Sequence, residues 1–223
     1  VCMAYNLDHY HGDAVTPVES ENIEFEDFQN EIIFYNKVWT AFPADVDNEE
    51  IIKDCYDAQI HLPGTQRSNA GGWQSEVRPL TESVFRATLP HVYDLGVRAV
   101  EFSNKCSEEL GSDIEYNLDS AHLWVNINNQ NDYNVIHSHP HCDLIVLYYA
   151  IHEKSMGNLH LVRADGSCHV STFMGVNDSH EYIVEPEEGM FVAFPPHLLH
   201  YVDPNQTGND RISISFNMAA VNG

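Results

Sequence analysis

The chain of 223 residues is 43% hydrophobic and 11% aromatic, which is enough apolar material to bury one sizeable core and argues against intrinsic disorder. Asp and Glu number 34 against 10 Lys and Arg, so the formal net charge is −24, which disfavours binding to nucleic acid or to anionic membranes. An anionic co-substrate would therefore need a local cationic group, because the overall field repels it.

The cysteine pattern and the hydropathy indicate the cellular compartment of the protein. Five cysteines with scattered spacing and no CxxC pair indicate reduced thiols rather than a disulfide framework. No run reaches the roughly 18 apolar residues that a membrane-spanning helix requires, and residues 1–13 lack the basic and apolar regions of a signal peptide. We therefore expect a cytoplasmic protein that binds neither nucleic acid nor membrane. Separately, we expect a monomer or homodimer whose substrate is a small molecule or a peptide.

The first half of the chain predicts mainly helices. Residues 32–42 are rich in β-branched and aromatic side chains and predict a strand. Residues 47–62 predict a helix, because acidic residues suit its first turn and Pro63-Gly64 follows its end. Residues 81–110 predict one or two helices interrupted at Pro90.

Residues 68–75 (Ser-Asn-Ala-Gly-Gly-Trp-Gln-Ser) predict a loop with two possible roles. In one, it is a packing turn in which Trp73 plugs the base of the fold. In the other, it is a lid beside a functional cleft.

Beyond residue 118, short β-rich runs alternate with turn signals. The runs are 121–127, 133–139, 144–152, 158–163, 169–173, 181–184, 190–194, 199–202 and 211–217. About eight short strands at this spacing favour a jelly roll, the cupin-like double-stranded β-helix. We therefore expect a mainly β protein in which an α-rich support layer, residues 1–118, packs as one domain with a β-helix core, residues 119–223.

Three histidines form the candidate metal site. His137 and His139 are two residues apart on a predicted strand, so their side chains point to the same face. His200 lies on a later strand that can be a neighbour of the first in a jelly roll. Three imidazoles that converge in this way suit Fe(II), Zn or Cu and leave coordination positions open. The remaining histidines considered are assigned to surface or core positions: His9, His11, His61, His91, His122, His152, His160, His169 and His180.

Arg211 and Ser213 form a candidate anion site on the last predicted strand. The two side chains share a face, and an Arg can bind a carboxylate through two hydrogen bonds to which the Ser hydroxyl adds a third. Taken alone, Arg211 is better explained by an ordinary salt bridge at the end of a strand. Together with the histidines, it favours a bound carboxylate.

Six motifs follow one another along the chain: residues 68–75, Trp124-Val-Asn126, His137-Ser-His139-Pro140, Tyr148-Tyr149, residues 194–202 and Arg211-Ile-Ser-Ile-Ser-Phe-Asn217. No single motif is decisive, but their order and spacing are specific. Together they resemble a family of 2OG-Fe(II) oxygenases found in phages and marine bacteria, within the Fe(II)/2-oxoglutarate dioxygenase superfamily.

The resemblance implies Fe(II) and 2-oxoglutarate as cofactors and an enzyme that hydroxylates an unactivated C–H bond with release of succinate and CO2. Residue by residue, it implies that His137 and His200 bind the metal. It also implies that Arg211 and Ser213 bind the distal carboxylate of 2-oxoglutarate. Asn126, Tyr148 and, as a weaker candidate, Asn217 match further co-substrate positions. If the protein is phage-encoded, its compartment is the host cytoplasm.

Position 139 departs from the family pattern, in which a carboxylate ligand is usual. His139 itself could be the third ligand. Asp143, in His141-Cys-Asp143, could replace it, or water could fill the position. We favour His139, because it shares a face with His137, whereas Asp143 leads directly into the next strand.

Two other functions are compatible with parts of this pattern. A three-His cupin-type metalloenzyme that does not use 2-oxoglutarate would explain the histidines but would leave Arg211 and Ser213 without a role. A non-catalytic jelly-roll binding module would treat the His cluster as structural.

Overall fold

The computed structural model describes residues 36–162, 170–171, 176–177 and 181–220. The helices are α1 (Asn48–His61), α2 (Ser83–Thr88) and α3 (Pro90–Glu109), and a 3-10 helix covers Leu118–Ser120. The strands are β1 (Trp39–Ala41), β2 (Asn69–Ala70), β3 (Trp73–Gln74), β4 (Arg78–Pro79), β5 (Ala121–Asn128), β6 (Tyr133–His137), β7 (Leu144–Ile151), β8 (Leu159–Val162), β9 (Val170–Ser171), β10 (Val176–Asn177), β11 (Glu181–Val184), β12 (Phe191–Phe194), β13 (Leu199–Val202) and β14 (Arg211–Met218).

The strands form two antiparallel sheets and one separate pair. The large sheet has the order β1-β12-β7-β14-β5-β3, with β4 also paired to β5, and the small sheet has the order β11-β8-β13-β6-β2. Strands β9 and β10 pair with each other. This arrangement confirms the predicted double-stranded β-helix with flanking helices.

Two apolar clusters divide the fold into layers. One cluster joins α1 and α3 to one face of the large sheet, and it includes Leu95, Val146 and Phe216. The other fills the space between the sheets, and it includes Leu147 and Leu161. Successive residues of β7 enter opposite clusters, as expected for a strand that is buried on both faces.

The helical layer follows the sequence signals closely. Asp47 caps α1 by accepting a hydrogen bond from the Glu50 backbone N–H. Pro90 occupies the first turn of α3, where its missing N–H costs nothing, so it starts a helix rather than kinking one. The residue that precedes α3 supplies no side-chain cap. Instead, Asp54 of α1 accepts hydrogen bonds from the His91 and Val92 N–H groups at 2.7 and 3.0 Å.

Residues 68–75 are not simply a loop. β2 extends the small sheet beside β6, and β3 extends the large sheet beside β5, so this segment bridges the two sheets. Gly71 and Gly72 make the crossing with φ angles of 74° and 64°. Trp73 packs against the helix-side cluster, in agreement with the packing-turn interpretation.

Other boundaries differ from the predictions in smaller ways. In the predicted strand 32–42, residues 39–41 are β1, while residues 32–35 lie outside the described ranges. Of the predicted strand 169–173, only residues 170–171 are described. Four short strands that precede residue 119 complete the sheets, and the proposed division at 118/119 stays a prediction. None of the described helices is both long enough and apolar enough to cross a membrane.

Candidate metal and co-substrate site

The three predicted histidines meet between the sheets. The nearest ring nitrogens of His137, His139 and His200 all lie within 4.8 Å of one another. His137 and His200 are directly paired across β6 and β13. His139 lies beyond the end of β6, where its backbone N–H donates to the Pro196 carbonyl at 3.2 Å. The contact with the Pro195-Pro196 corner, rather than strand alternation, therefore brings the third ring to the cluster.

A β-bulge aligns the pocket side of β6. His200 pairs with His137 and Val202 pairs with Asn134, so two steps along β13 match three steps along β6. The extra residue lies at Val135–Ile136, and it lets both Asn134 and His137 line the same pocket.

Each ring is oriented through its Nδ1 atom. The Nδ1–H groups of His137 and His200 donate to the carbonyls of Val135 at 2.7 Å and Leu198 at 3.0 Å. His139 Nδ1–H donates to Asn217 Oδ1 at 2.7 Å. Because Nδ1 carries the proton in all three rings, each Nε2 keeps a free lone pair, which is the arrangement that metal-binding histidines usually adopt.

Burial keeps the three rings neutral. Loss of solvation lowers the pKa of His137, lowers that of His139 to about 4 and lowers that of His200 to about 3. A neutral ring does not have to lose a proton before it binds a metal ion. The donor set therefore fits a divalent ion such as Fe(II), with three nitrogen ligands and open positions.

The structure does not bring Asp143 to this cluster. Its side chain is exposed, and one carboxylate oxygen accepts a hydrogen bond from the Ala220 N–H at 2.7 Å. Within the described ranges, the cluster contains histidines and no carboxylate.

Arg211 lies in the same pocket at the start of β14, 1% exposed. Its Nη1 donates to the carbonyls of Met156 and of Asp203, the latter at 3.0 Å. Its Nη2 is buried and has no hydrogen-bond partner among the described residues. Burial lowers the pKa of the guanidinium to about 10, which still leaves it cationic at neutral pH. A bound carboxylate would supply both the missing acceptor and the missing negative charge.

The co-substrate tyrosine suggested by the sequence is on the wrong face. Tyr148 points to the helices, where its hydroxyl donates to Asn48 Oδ1 at 2.9 Å. Its neighbour Tyr149 lines the pocket, fully buried, and its hydroxyl has no partner in the part of the chain that the structure describes. Burial raises the pKa of Tyr149, so it remains a hydrogen-bond donor.

Polar residues on neighbouring strands extend this wall. Ser213 is paired with Asn126 on one side and with Tyr149 on the other. Asn126 Nδ2 donates to Ser215 Oγ at 3.3 Å, while Asn126 Oδ1 is buried without a partner in the described structure. The predicted residues Asn126 and Ser213 thus lie in the pocket with Arg211 and the histidines.

The pocket has a local charge opposite to that of the chain. None of its described lining residues is acidic. In a protein of net charge −24, this lining leaves the Arg211 guanidinium as a local anion trap.

Two of the remaining histidines have clear structural contacts. His160, on the outer face of the small sheet, has its Nε2 2.7 Å from Asp203 Oδ2 and stacks on Tyr201. His152 is buried and donates from Nε2 to the Gly157 carbonyl at 3.0 Å.

Sequence reasoning missed two contacts. The motif Tyr148-Tyr149 marked the correct strand, but β7 is apolar on both faces, so no alternation showed which tyrosine faces inward. Asn217, suggested as a weak co-substrate contact, instead orients His139. The available signal was that Asn217 follows Arg211, Ser213 and Ser215 at steps of two residues, which places all four side chains on one face of the strand.

The β-rich core of the chain is similar to a known protein family. A family model described as "Putative 2OG-Fe(II) oxygenase" matches residues 122–217, which contain the three histidines and Arg211. These residues are similar to the 2OG-Fe(II) oxygenase family. That family uses Fe(II) and 2-oxoglutarate, and the three histidines and Arg211 fit these two cofactors. No curated protein sequence matches the chain.

Several solved structures share this fold. A prolyl-4-hydroxylase from Pseudomonas putida is 14% identical, with a TM-score of 0.57 over 83% of this chain and 93% of that one. A prolyl hydroxylase from Trichoplax adhaerens, solved with a hypoxia inducible factor peptide fragment, is 12% identical, with a TM-score of 0.58 over 82% and 83%. HygX from Streptomyces hygroscopicus, solved with nickel and 2-oxoglutarate, is 10% identical, with a TM-score of 0.53 over 84% of each chain.

Proposed function

We propose that the protein is an Fe(II)- and 2-oxoglutarate-dependent dioxygenase that hydroxylates an unactivated C–H bond of a small molecule or a peptide. One observation supports this most strongly. Three histidine rings and a buried guanidinium share one pocket, and Nη2 of that guanidinium has no partner among the described residues.

In this proposal, His137, His139 and His200 hold the iron through Nε2, and no carboxylate takes part. The Nδ1 hydrogen bonds fix the three rings before the metal arrives, so little side-chain freedom is lost on binding. Arg211 Nη2, the Tyr149 hydroxyl and Ser213 bind the distal carboxylate of 2-oxoglutarate. Asn126, paired with Ser213 on the neighbouring strand, contacts the rest of the co-substrate.

When bound, Fe(II) together with 2-oxoglutarate and O2 supplies the oxidising chemistry, so that one oxygen atom enters the C–H bond and the other leaves in succinate, with release of CO2. The protein orients the co-substrate and excludes water. Trp124, Leu147, Leu159 and Val202 provide the apolar part of the pocket wall for this purpose.

A three-His metalloenzyme without 2-oxoglutarate is the second candidate. It accounts for the histidine cluster equally well. It leaves the unpartnered Nη2 of Arg211 and the unpartnered hydroxyl of Tyr149 buried without purpose, although such groups are costly. These two donors therefore favour the 2-oxoglutarate proposal.

The decisive experiment has a binding part and a turnover part. Protein loaded anaerobically with Mn(II) should bind 2-oxoglutarate in calorimetry and lose that binding when His137 and His200 are both changed to Ala. With Fe(II) and O2, slow succinate release should appear even without the primary substrate. Metal located away from the three histidines in a crystal soaked with Mn(II) and 2-oxoglutarate would refute the proposal.

The cytoplasmic location, the monomeric or homodimeric state and the phage or marine origin remain predictions. Light scattering of the purified protein checks the oligomeric state directly.

A further inference from the structure

We infer that the turn at residues 152–157 sets the chain length of the 2-oxo acid that the pocket accepts, with His152 and Gly157 as positioning residues. The inference rests on the proposed function and deepens it, because it concerns how the two donors at the far end of the pocket are held.

The first support is the way in which the guanidinium is tied. Arg211 Nη1 donates to the carbonyls of Met156 and Asp203, so one side of the group is fixed to the wall. Its Nη2 is buried without a partner among the described residues, and Arg211 lines the pocket. The Met156–Gly157 turn and the Asp203 backbone therefore determine how far the cation reaches toward the metal.

Gly157 makes this close approach possible. It has a φ of +102°, and a Cβ built at this position would lie 2.6 Å from Arg211 Nη1 and would overlap the Asp203 carbonyl oxygen. A side chain at residue 157 would therefore have to displace both the Asp203 backbone and the guanidinium.

His152 connects the turn to the second donor. Its Nε2–H donates to the Gly157 carbonyl at 3.0 Å. Its ring stands edge-on against Tyr149, with 5.4 Å between the ring centroids and 81° between the planes. One buried imidazole thus contacts both the turn that holds Arg211 and the tyrosine that offers the second free donor.

The turn is also anchored from the other side. The Asp203 N–H donates to the Asn158 carbonyl at 3.1 Å, and the Gln206 N–H donates to the Ser155 carbonyl at 2.9 Å. With the histidines fixed at one end and this turn at the other, the distance between the metal and Nη2 is constrained by contacts at both ends. A dicarboxylic 2-oxo acid of one length should fit best.

The test compares three acids on anaerobic Mn(II)-loaded protein by calorimetry: oxaloacetate with four carbons, 2-oxoglutarate with five and 2-oxoadipate with six. The wild-type protein should prefer the five-carbon acid. In His152→Ala, the 2-oxoglutarate affinity should fall about tenfold, the size of one lost buried hydrogen bond, while the other two affinities change less than about twofold. Mn(II) affinity should not change, and His91→Ala, in the helical layer, is the control.

Gly157→Ala is the second variant and decides the question if His152→Ala does not fold. The added methyl group should displace the guanidinium, so the ratio of four-carbon to five-carbon affinity should change about fivefold or more. An equal loss for all three acids, or unchanged selectivity, in the variants that fold overturns the inference. If Arg211→Met leaves 2-oxoglutarate binding intact, the proposed co-substrate site itself fails.

Discussion

The two faces of β14 differ in polarity. Toward the helices, the strand presents Ile212, Ile214, Phe216 and Met218, all 0% exposed and packed in one apolar cluster. Toward the pocket it presents Arg211, Ser213, Ser215 and Asn217, on the same eight residues. One face stabilises the fold, whereas the other carries the polar groups of the proposed site. Successive residues of β14 thus serve different purposes, because one packs against the helices and the next lies on the pocket side.

The largest effect should come from the helix-facing side. Phe216→Ala removes a fully buried ring from the cluster and should lower the free energy of unfolding by about 3–5 kcal/mol. Urea denaturation measures this loss. At temperatures where the variant is folded, its 2-oxoglutarate affinity should match the wild type; a large loss there would show that the two faces are not independent.

Arg211→Met should have the opposite effect, a loss of 2-oxoglutarate affinity without a loss of stability. The 2-oxoglutarate affinity of Mn(II)-loaded protein should fall about 100-fold, because a charge-assisted double hydrogen bond is lost. Mn(II) affinity should change little. The free energy of unfolding should stay the same or rise, since the variant removes a buried cation with an unpartnered Nη2. Equal losses of metal and co-substrate affinity would argue against the assigned role.

Asn217→Leu tests the pocket side at the other end of β14. Loss of the acceptor for His139 Nδ1 should lower Mn(II) affinity about tenfold or more. Asn217→Asp keeps an acceptor at the same place and is the matched variant, with metal affinity close to the wild type. If both variants bind Mn(II) normally, His139 does not depend on this hydrogen bond.

Asp54→Ala should affect stability alone. It removes the cap shared by two N–H groups of α3 and should cost about 1–2 kcal/mol in unfolding free energy. Neither metal nor 2-oxoglutarate affinity should change. Asp54→Asn, which keeps an acceptor oxygen, should recover most of the stability in the same denaturation measurement.

The smallest effect should come from Ser213→Ala. The hydroxyl is one of several expected carboxylate donors, so 2-oxoglutarate affinity should fall about threefold to tenfold. The free energy of unfolding should change by less than about 1 kcal/mol. A stability loss comparable to that of Phe216→Ala would remove the contrast between the two faces.

The sequence located most of the site because its signals are local. His137 and His139 are close in the chain, Arg211 and Ser213 alternate on one strand, and the motifs around them match a family. Tyr149 could not be distinguished from Tyr148, because a strand buried on both faces carries no polar alternation.

Contacts between distant segments were not predictable from local patterns. Asp54 caps α3 from a distant part of the chain, because the two N–H groups that it accepts from, those of His91 and Val92, lie 37 and 38 residues away in the sequence. His152 was assigned to a surface or core position, and nothing near it in the sequence indicates that it contacts Tyr149 and Gly157.

By itself, the sequence determined a mainly β fold, three candidate metal histidines and one cationic residue for a carboxylate, because alternation and motif spacing record which side chains share a face. Only the tertiary structure decided that His139 rather than Asp143 joins the cluster, and that Tyr149 rather than Tyr148 faces the pocket. The reason is that these outcomes depend on a proline corner, a β-bulge and the packing of helices on one side of the sheet, and each of these is fixed by residues far apart in the chain.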